Sequence, residues 1–323
     1  MQAILAVTIP FFALVLCGYL AAHRRVLPES AIPGLNSFVL FFALPCMLFR
    51  FGAAMPLAQL IDPVVIGVYA TAAMLLVFFT VAVTLSARVD LRNAAFGALV
   101  AAFPNSGFMG VPLLVTLLGP SAAGPMMSTL LVDLFLTSSL CIALAQAQPD
   151  PQSPYANSGR AIVGRALRGT LTNPLPWAIA LGAAMSLAGI TLPGPVDTLV
   201  RMLGDAATPV ALFTIGAVLW RARQHVHTRT PMELYVPVAL LKLALHPLLV
   251  FALAAGAQSF GLRLSGFQVL VMTLAAALPS ASNVALLAER YRADNGRIAR
   301  IILVSTALSF VSFSWLAWVL RPN

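Results

Sequence analysis

Residues 101–114 read AAFPNSGFMGVPLL, and residues 276–287 read AALPSASNVALL. Each stretch lies within an apolar run long enough to form a membrane-spanning helix of about 20 residues. Pro104 and Pro279 lie about halfway along these two runs. Because proline removes a backbone hydrogen bond and clashes with the preceding turn, each helix is expected to kink or open at its proline.

Small and polar residues follow both prolines, and they favour opening of the helix over a simple kink. They are Asn105, Ser106 and Gly107 after Pro104, and Ser280, Ser282 and Asn283 after Pro279. An exposed half-helix N-terminus carries partial positive charge and free N–H groups, which suit a carboxylate. These six residues are therefore the predicted substrate-binding residues, with the two prolines as helix breaks. The alternative is an ordinary proline kink in which a Ser or Asn side chain bonds the freed carbonyl.

The rest of the chain is equally apolar. It is 60% hydrophobic and 9% charged, with a mean hydropathy of +0.93, whereas soluble domains carry roughly 25% charged residues. The chain therefore needs the lipid bilayer as its solvent, and its spans must be helical because backbone groups in lipid have to be satisfied internally. We predict an all-α polytopic membrane protein with ten transmembrane helices. The predicted spans are residues 3–22, 34–50, 63–86, 93–118, 122–146, 174–190, 196–220, 234–258, 265–289 and 298–320.

The distribution of basic residues orients these spans. With the N-terminus outside, fourteen of the 19 Lys and Arg residues fall in inner loops or at the inner ends of spans, three in outer segments or at the outer ends of spans, and two within spans. This predicts a multi-pass protein of the cell inner (plasma) membrane with both termini outside. The net charge of +9 is then mainly a topology signal, which argues against nucleic-acid binding. The longest loop, 147–173, is a polar cytoplasmic linker, in which 160–171 is a candidate amphipathic helix.

The two halves of the chain resemble each other. Residues 8–18 run from a Thr-x-Pro sequence to a glycine, and residues 172–182 do so at the same spacing. LPCMLF at 44–49 likewise corresponds to TPVALF at 208–213. We predict a first five-helix repeat at 1–146 and a second at 174–323. Because five spans is an odd number, the second repeat must be inverted, and inverted repeats with interrupted helices are typical of secondary transporters with a site near the midplane.

Ionisable residues within the spans are further candidates, because burying a charge in the membrane is costly. Asp133 lies near mid-depth in the fifth span, and Lys242 and His246 share one face of the eighth. We hypothesise that Asp133 is a proton or counter-ion site and that Lys242 or His246 balances it or an anionic substrate. The alternative is a static charge pair between helices. Arg201 and Asp205, four residues apart, are predicted to form a structural ion pair.

Residues 104–113, PNSGFMGVPL, resemble the N-x-G-F-x-G-x-P-L motif of the auxin efflux carrier family, which includes plant PIN carriers and bacterial malonate or malate carriers. LNSFV at 35–39 and LKLALHP at 241–247 also resemble family segments. The resemblance implies that spans 4 and 9 cross at their prolines and that Asn105 contacts substrate there. It also implies a scaffold of spans 1, 2, 6 and 7, a transport domain of spans 3–5 and 8–10, and a homodimer formed through the scaffold. The short central loop favours the bacterial, small-carboxylate branch over auxin.

The predicted function is secondary active transport of a small organic anion, a mono- or dicarboxylate such as malonate or malate, by alternating access. The alternatives are an auxin-like aromatic-acid carrier and a uniporter or channel. An intramembrane enzyme is disfavoured, because no H-E-x-x-H sequence occurs. His225 and His227 lack acidic or cysteine neighbours, and the three cysteines stand singly, so we predict no metal site and no cofactor. The coupling ion, H⁺ or Na⁺, stays open.

Overall fold

In the computed structural model of the protein, the described residues are 2–147, 173–224 and 230–320. Apart from two isolated antiparallel bridges, these residues form helices and the segments that connect them. The all-helical fold class is therefore confirmed. The linker predicted at 147–173 lies outside the described residues except for its first and last positions, as do His225 and His227.

Capping residues define several helix starts. The Asp62 carboxylate accepts hydrogen bonds from two backbone N–H groups at the start of α3, and Ser265 and Gln268 form a capping box at the start of α10. The helices are α1 (Gln2–His23), α2 (Ala31–Ala54), α3 (Pro63–Thr84), α4 (Leu91–Ala102), α5 (Ser106–Leu118), α6 (Pro120–Ala147), α7 (Pro174–Ala188), α8 (Gly194–Gln224), α9 (Val236–Ser259), α10 (Gly266–Ala277), α11 (Val284–Arg290) and α12 (Asn295–Leu320), with short turns at Leu57–Leu60 and Met232–Leu234.

Within the described ranges, seven helices are long and apolar enough to cross a membrane, namely α1, α2, α3, α6, α8, α9 and α12. The predicted spans 93–118 and 265–289 instead appear as pairs of shorter helices, because each is interrupted at its proline. The predicted span 174–190 appears as the 15-residue helix α7, which ends at Gly189 in the left-handed conformation. The chain is thus a multi-pass helical membrane protein, and the count of ten spans stays a prediction.

Glycines bring α1 and α8 into backbone contact. A Cβ atom on Gly18 would lie 1.8 Å from the carbonyl oxygen of Phe213, and one on Gly216 would lie 1.8 Å from the carbonyl oxygen of Val15. Small residues at such contacts are the usual means of packing membrane helices closely, because lipid provides no hydrophobic driving force between them. The absence of a side chain at both positions therefore sets the distance between these helices.

The pair α2 and α7 repeats this arrangement. A Cβ atom on Gly182 would lie 2.2 Å from the carbonyl oxygen of Phe49, and one on Gly52 would lie 2.6 Å from that of Ile179. Each of the four residues in this contact is separated from its counterpart in the α1–α8 contact by the same number of positions along the chain. The two contacts are therefore equivalent positions of the two halves of the chain.

We expect Gly216→Ala to lower the melting temperature of the purified protein. The added Cβ would clash with the Val15 carbonyl and force α1 and α8 apart, and overpacking of this kind costs about 1–3 kcal/mol. Gly256→Ala in α9 is the matched control, because its Cβ would meet no atom within 4 Å. Its better helix propensity should leave the melting temperature unchanged or slightly higher. Equal losses in both variants would contradict the close contact.

The remaining helices are joined by polar contacts at both ends. At one end, the buried Arg297 of α12 donates to the carbonyl oxygens of Asn93 (2.9 Å) and Leu234 (2.8 Å), and its guanidinium packs against Gly97 of α4. At the other end, Gln268 of α10 donates to the Asp62 carboxylate at 2.7 Å. The first set of contacts joins α12 to α4 and to the turn before α9, and the second joins α10 to the start of α3.

Candidate functional site

The two helix breaks meet in the interior. The helix α4 ends at Ala102 and α10 ends at Ala277, so both stop just before their prolines. The Asn105 N–H donates to the Pro279 carbonyl at 2.8 Å, and the Ala281 N–H donates to the Phe103 carbonyl at 3.0 Å. These bonds form an isolated antiparallel bridge in which each break satisfies backbone groups that the other leaves open.

Further hydrogen bonds fix each side of this crossover. The Asn105 carbonyl accepts from the N–H groups of Met109 (3.1 Å) and Gly110 (2.9 Å), which closes a π turn at the start of α5. On the other side, the Ser305 hydroxyl of α12 donates to Ser280 Oγ at 3.0 Å. Irregular backbone is thus stabilised at a depth where lipid could offer no partner.

Four predicted substrate-binding residues line one small cavity at the crossover. Its volume is about 20 Å³, room for about one water molecule. Leu40 and Leu44 of α2 also line it. The four residues are Asn105, Ser106, Gly107 and Asn283. Because a dicarboxylate is much larger than a water molecule, its binding requires the walls of this cavity to separate.

The other two predicted residues lie nearby but outside that cavity. Ser282 lines a second cavity of about 10 Å³ together with Asn36 and Thr214, whereas Ser280 is fully buried against α12. Within the described part of the chain, Ser106 Oγ and Asn283 Oδ1 are buried without a hydrogen-bond partner. The crossover therefore holds uncommitted polar atoms, which are suited to a ligand.

A larger cavity, of about 760 Å³, lies beside the crossover and is lined by α2, α5, α7 and α8. We call it the vestibule. Leu44 of the small cavity and Met47 of the vestibule lie on successive turns of α2, and Gly107 and Pro112 are similarly placed on α5. The two cavities therefore follow one another along the same two helices.

The predicted Arg201–Asp205 ion pair is wrong. Arg201 instead pairs with Asp197, one turn in the opposite direction, at 2.6 Å, and Asp205 pairs with Arg50 of α2 at 2.6 Å. An acidic residue four positions before a basic one is the better-oriented helical pair, which favours Asp197. The sequence gives no sign that Arg50 reaches Asp205 from another helix.

The three ionisable residues predicted within the spans lie together. Lys242 Nζ lies 3.0 Å from His246 Nδ1 and donates to the Ala276 carbonyl at 2.7 Å. Tyr69 of α3 donates to the Asp133 carboxylate at 3.4 Å, and its ring lies 5.7 Å from that of His246. All four side chains are fully buried. An acidic and two basic side chains are thus enclosed in one cluster, where one group can balance a charge on another.

This charge cluster contacts both helix breaks. The Ala276 carbonyl belongs to the last turn of α10, where the interrupted helix leaves carbonyl groups open, so Lys242 lies at the negative end of that half-helix. Ser106, at the start of α5, lies beside the Asp133 carboxylate, although its hydroxyl lacks hydrogen-bond geometry. Each buried charge therefore lies beside the half-helix end of opposite polarity.

Sequence reasoning missed Tyr69, the Ala276 carbonyl and the local helix geometry. Asp133–Thr137 and Leu241–Leu245 are π turns within α6 and α9, and such turns are frequent at functional sites. A tyrosine inside an apolar run was an available signal for Tyr69. Nothing in the local sequence marks the π turns or the carbonyl that Lys242 contacts.

The fold and the site together define a membrane transporter: a multi-pass helical protein in which paired helix breaks meet beside buried charges. The chain belongs to the membrane transport protein family, and the family model matches residues 3–317. The resemblance to the auxin efflux carrier family is thereby confirmed over nearly the whole chain. The protein is a transporter and not an enzyme.

Individual relatives agree with this assignment. A Rhizobium meliloti protein named "Putative malonate transporter" is 28% identical over 328 residues, covering 100% of this chain and 98% of its own. The "Uncharacterized transporter YfdV" of Escherichia coli K12 is 25% identical over 320 residues, covering 94% and 93%. An "Uncharacterized transporter" of Methanothermobacter thermautotrophicus is 29% identical over 305 residues, covering 93% and 92%. Each similarity extends over almost the full length of both chains.

Proposed function

We propose that the protein is a secondary active transporter of a small organic anion, a mono- or dicarboxylate such as malonate or malate. The observation that carries the proposal is the antiparallel bridge between the two helix breaks, with Asn105 lining the cavity beside it. The half-helix that follows Asn105 begins at this cavity, which its first residues Ser106 and Gly107 line, so that its positive dipole end suits a carboxylate there. The malonate named for the Rhizobium relative is of the same chemical class.

We further propose ten spans in two inverted repeats, 1–146 and 174–323, joined by a cytoplasmic linker at 147–173. The spans are α1, α2, α3, α4 with α5, α6, α7, α8, α9, α10 with α11, and α12. The matching glycine contacts of α1 with α8 and of α2 with α7 support the repeat. These four helices would form the scaffold, and the others the domain that moves.

The proposed setting is the inner (plasma) membrane with both termini outside, on the strength of the positive-inside rule. Two of the basic residues assigned to the inner side, Arg88 and Arg300, both contact the segment at 230–233, which supports a common end for them. Arg88 pairs with Glu233 at 2.7 Å, and Arg300 donates to the Thr230 carbonyl. A homodimer formed through the scaffold stays a proposal from family resemblance.

In the proposed mechanism the charge cluster couples transport to an ion. Asp133 would bind a proton or counter-ion, and Lys242 would balance its charge whenever the site is empty. Because Lys242 contacts the last turn of α10 and Asp133 lies beside α5, a change at the carboxylate would act directly on both half-helices. Proton and sodium coupling are both compatible with these groups.

The test is uptake of radiolabelled malonate and malate by the purified protein in liposomes, with proton and sodium gradients imposed separately. We expect saturable uptake that one of the two gradients accelerates. That gradient would identify the coupling ion, and equal uptake without a gradient would indicate a uniporter. No uptake of either acid under any gradient would contradict the proposed substrate class, and an aromatic acid would then be tested first.

A further inference from the structure

The vestibule contains a charged pair whose members belong to different helices. Arg50 projects from α2 and Asp205 from α8, and they meet at 2.6 Å. The Asp205 side chain is 72% exposed, whereas that of Arg50 is 36% exposed. The carboxylate thus lies on the open side of the pair, and the guanidinium lies deeper in the wall.

The wall is shaped around this guanidinium. A Cβ atom on Gly204 would lie 3.4 Å from Arg50 Nη1 and 3.2 Å from the Met47 backbone nitrogen. The glycine therefore allows α8 to approach α2 and leaves room for the Arg50 side chain between them. The other cation of the vestibule, Arg201, is paired with Asp197 of its own helix, and its side chain is 60% exposed and not enclosed between two helices.

A substrate carboxylate can take the place of Asp205 at Arg50. Its carboxylate is the same functional group as that of the proposed substrate, and the planar guanidinium binds any carboxylate in the same two-pronged geometry. Partly exposed ion pairs contribute little net free energy, because water competes for both partners. A carboxylate that enters the vestibule can therefore exchange with Asp205 at small cost.

We propose that Arg50 is a capture site for carboxylates in the vestibule, one to two helical turns before the crossover, and that Asp205 is its internal competitor. This rests on the proposed carboxylate transport and adds a first binding position to it. The bound anion moves from Arg50 along α2 and α5 toward the small cavity at Asn105. Asp205 then returns to Arg50 and leaves the site ready for the next anion.

The test compares Arg50→Gln with Asp205→Asn in the full-length protein, by initial rates of malonate uptake into liposomes. Arg50→Gln is expected to raise KM about three- to fivefold, because a partly exposed guanidinium–carboxylate contact is lost, with kcat changed less. Asp205→Asn is expected to lower KM about two- to fivefold, because the competitor is removed. A pair that only braces α2 against α8 would shift KM in the same direction in both variants, and that result would overturn the proposal.

A control separates capture from general electrostatic attraction. Arg263→Gln removes an equal charge from the exposed turn between α9 and α10, outside the vestibule. We expect its KM to stay within about twofold of the wild type, since an exposed charge at a distance is screened by salt. A rise equal to that of Arg50→Gln would also overturn capture at Arg50.

Binding distinguishes failure of this proposal from failure of the proposed function. Titration calorimetry with malonate would be run on purified Asn105→Ala protein, with and without Arg50→Gln. Binding to the first protein that is lost in the second supports capture even if no uptake is ever seen. Binding that survives Arg50→Gln, or no binding to Asn105→Ala protein, overturns it even if wild-type uptake is robust.

Discussion

Replacing Asn105 with alanine is expected to lower malonate uptake by about 10- to 100-fold while the protein stays folded. The Asn105 backbone makes the bonds that hold the crossover, and these bonds do not need its side chain. Its φ of −76° and ψ of 53° give a negative φ, so alanine is not forced into the left-handed region. Only the amide group that lines the cavity is lost, and a hydrogen bond to a charged group contributes about 1.5–3 kcal/mol.

The matched control is Thr71→Ala, which removes a polar side chain from α3, outside both the small cavity and the vestibule. Its hydroxyl donates to the carbonyl of Gly67 in its own helix at 2.8 Å. We expect uptake within about twofold of the wild type. If Asn105→Ala protein elutes as a monodisperse peak yet transports as well as this control, the site does not lie at the crossover.

The crossover illustrates what a sequence of this kind makes predictable. Proline within an apolar run interrupts the helix. The polar residues after Pro104 and Pro279 then have few possible hydrogen-bond partners at that depth except each other. Asp133, Lys242 and His246 could be identified as site candidates for a related reason, since ionisable residues are rare in membrane helices and need a charged or polar partner there. Their placement in one cluster follows from that constraint, whereas their roles stay hypotheses.

Other features depend on which helix faces meet, and local sequence does not specify that. Asp205 had a basic residue four positions away, yet its partner is Arg50, 155 positions away. Tyr69 reaches Asp133 only because α3 packs against α6, and Lys242 finds the Ala276 carbonyl only because α10 ends beside it. Such contacts arise from tertiary packing, so the hydropathy pattern and the helix propensity of the sequence do not predict them.

Two of the ten predicted spans, those that contain Pro104 and Pro279, appear as shorter helices for a local reason. A hydropathy window crosses Pro104 and Pro279 without interruption, because the flanking residues are apolar on both sides. The backbone does not continue, because each proline withdraws a donor and the chain turns toward the opposite break. One predicted span thereby becomes two helices, each too short to cross alone.

A double-mutant cycle on Asp133 and Lys242 of the charge cluster is expected to change both uptake and stability strongly. We expect Asp133→Asn and Lys242→Met each to abolish uptake and to destabilise the protein by about 3–5 kcal/mol, because each leaves one buried charge uncompensated. Asp133→Asn combined with Lys242→Met should recover most of the stability, because both charges are then gone. Thermal melting of the purified proteins measures this part of the cycle.

Uptake by the double variant decides between a coupling role and a static pair. If the charges only hold α6 and α9 together, the neutral double variant should transport nearly as well as the wild type. If Asp133 takes up the coupling ion, the double variant should be stable but should show no uptake that depends on a proton or sodium gradient. Arg88→Gln with Glu233→Gln, an exposed pair at 2.7 Å, serves as the control and should change neither property. Gradient-driven uptake by Asp133→Asn protein that matches the wild type across the pH range would exclude Asp133 as the proton site.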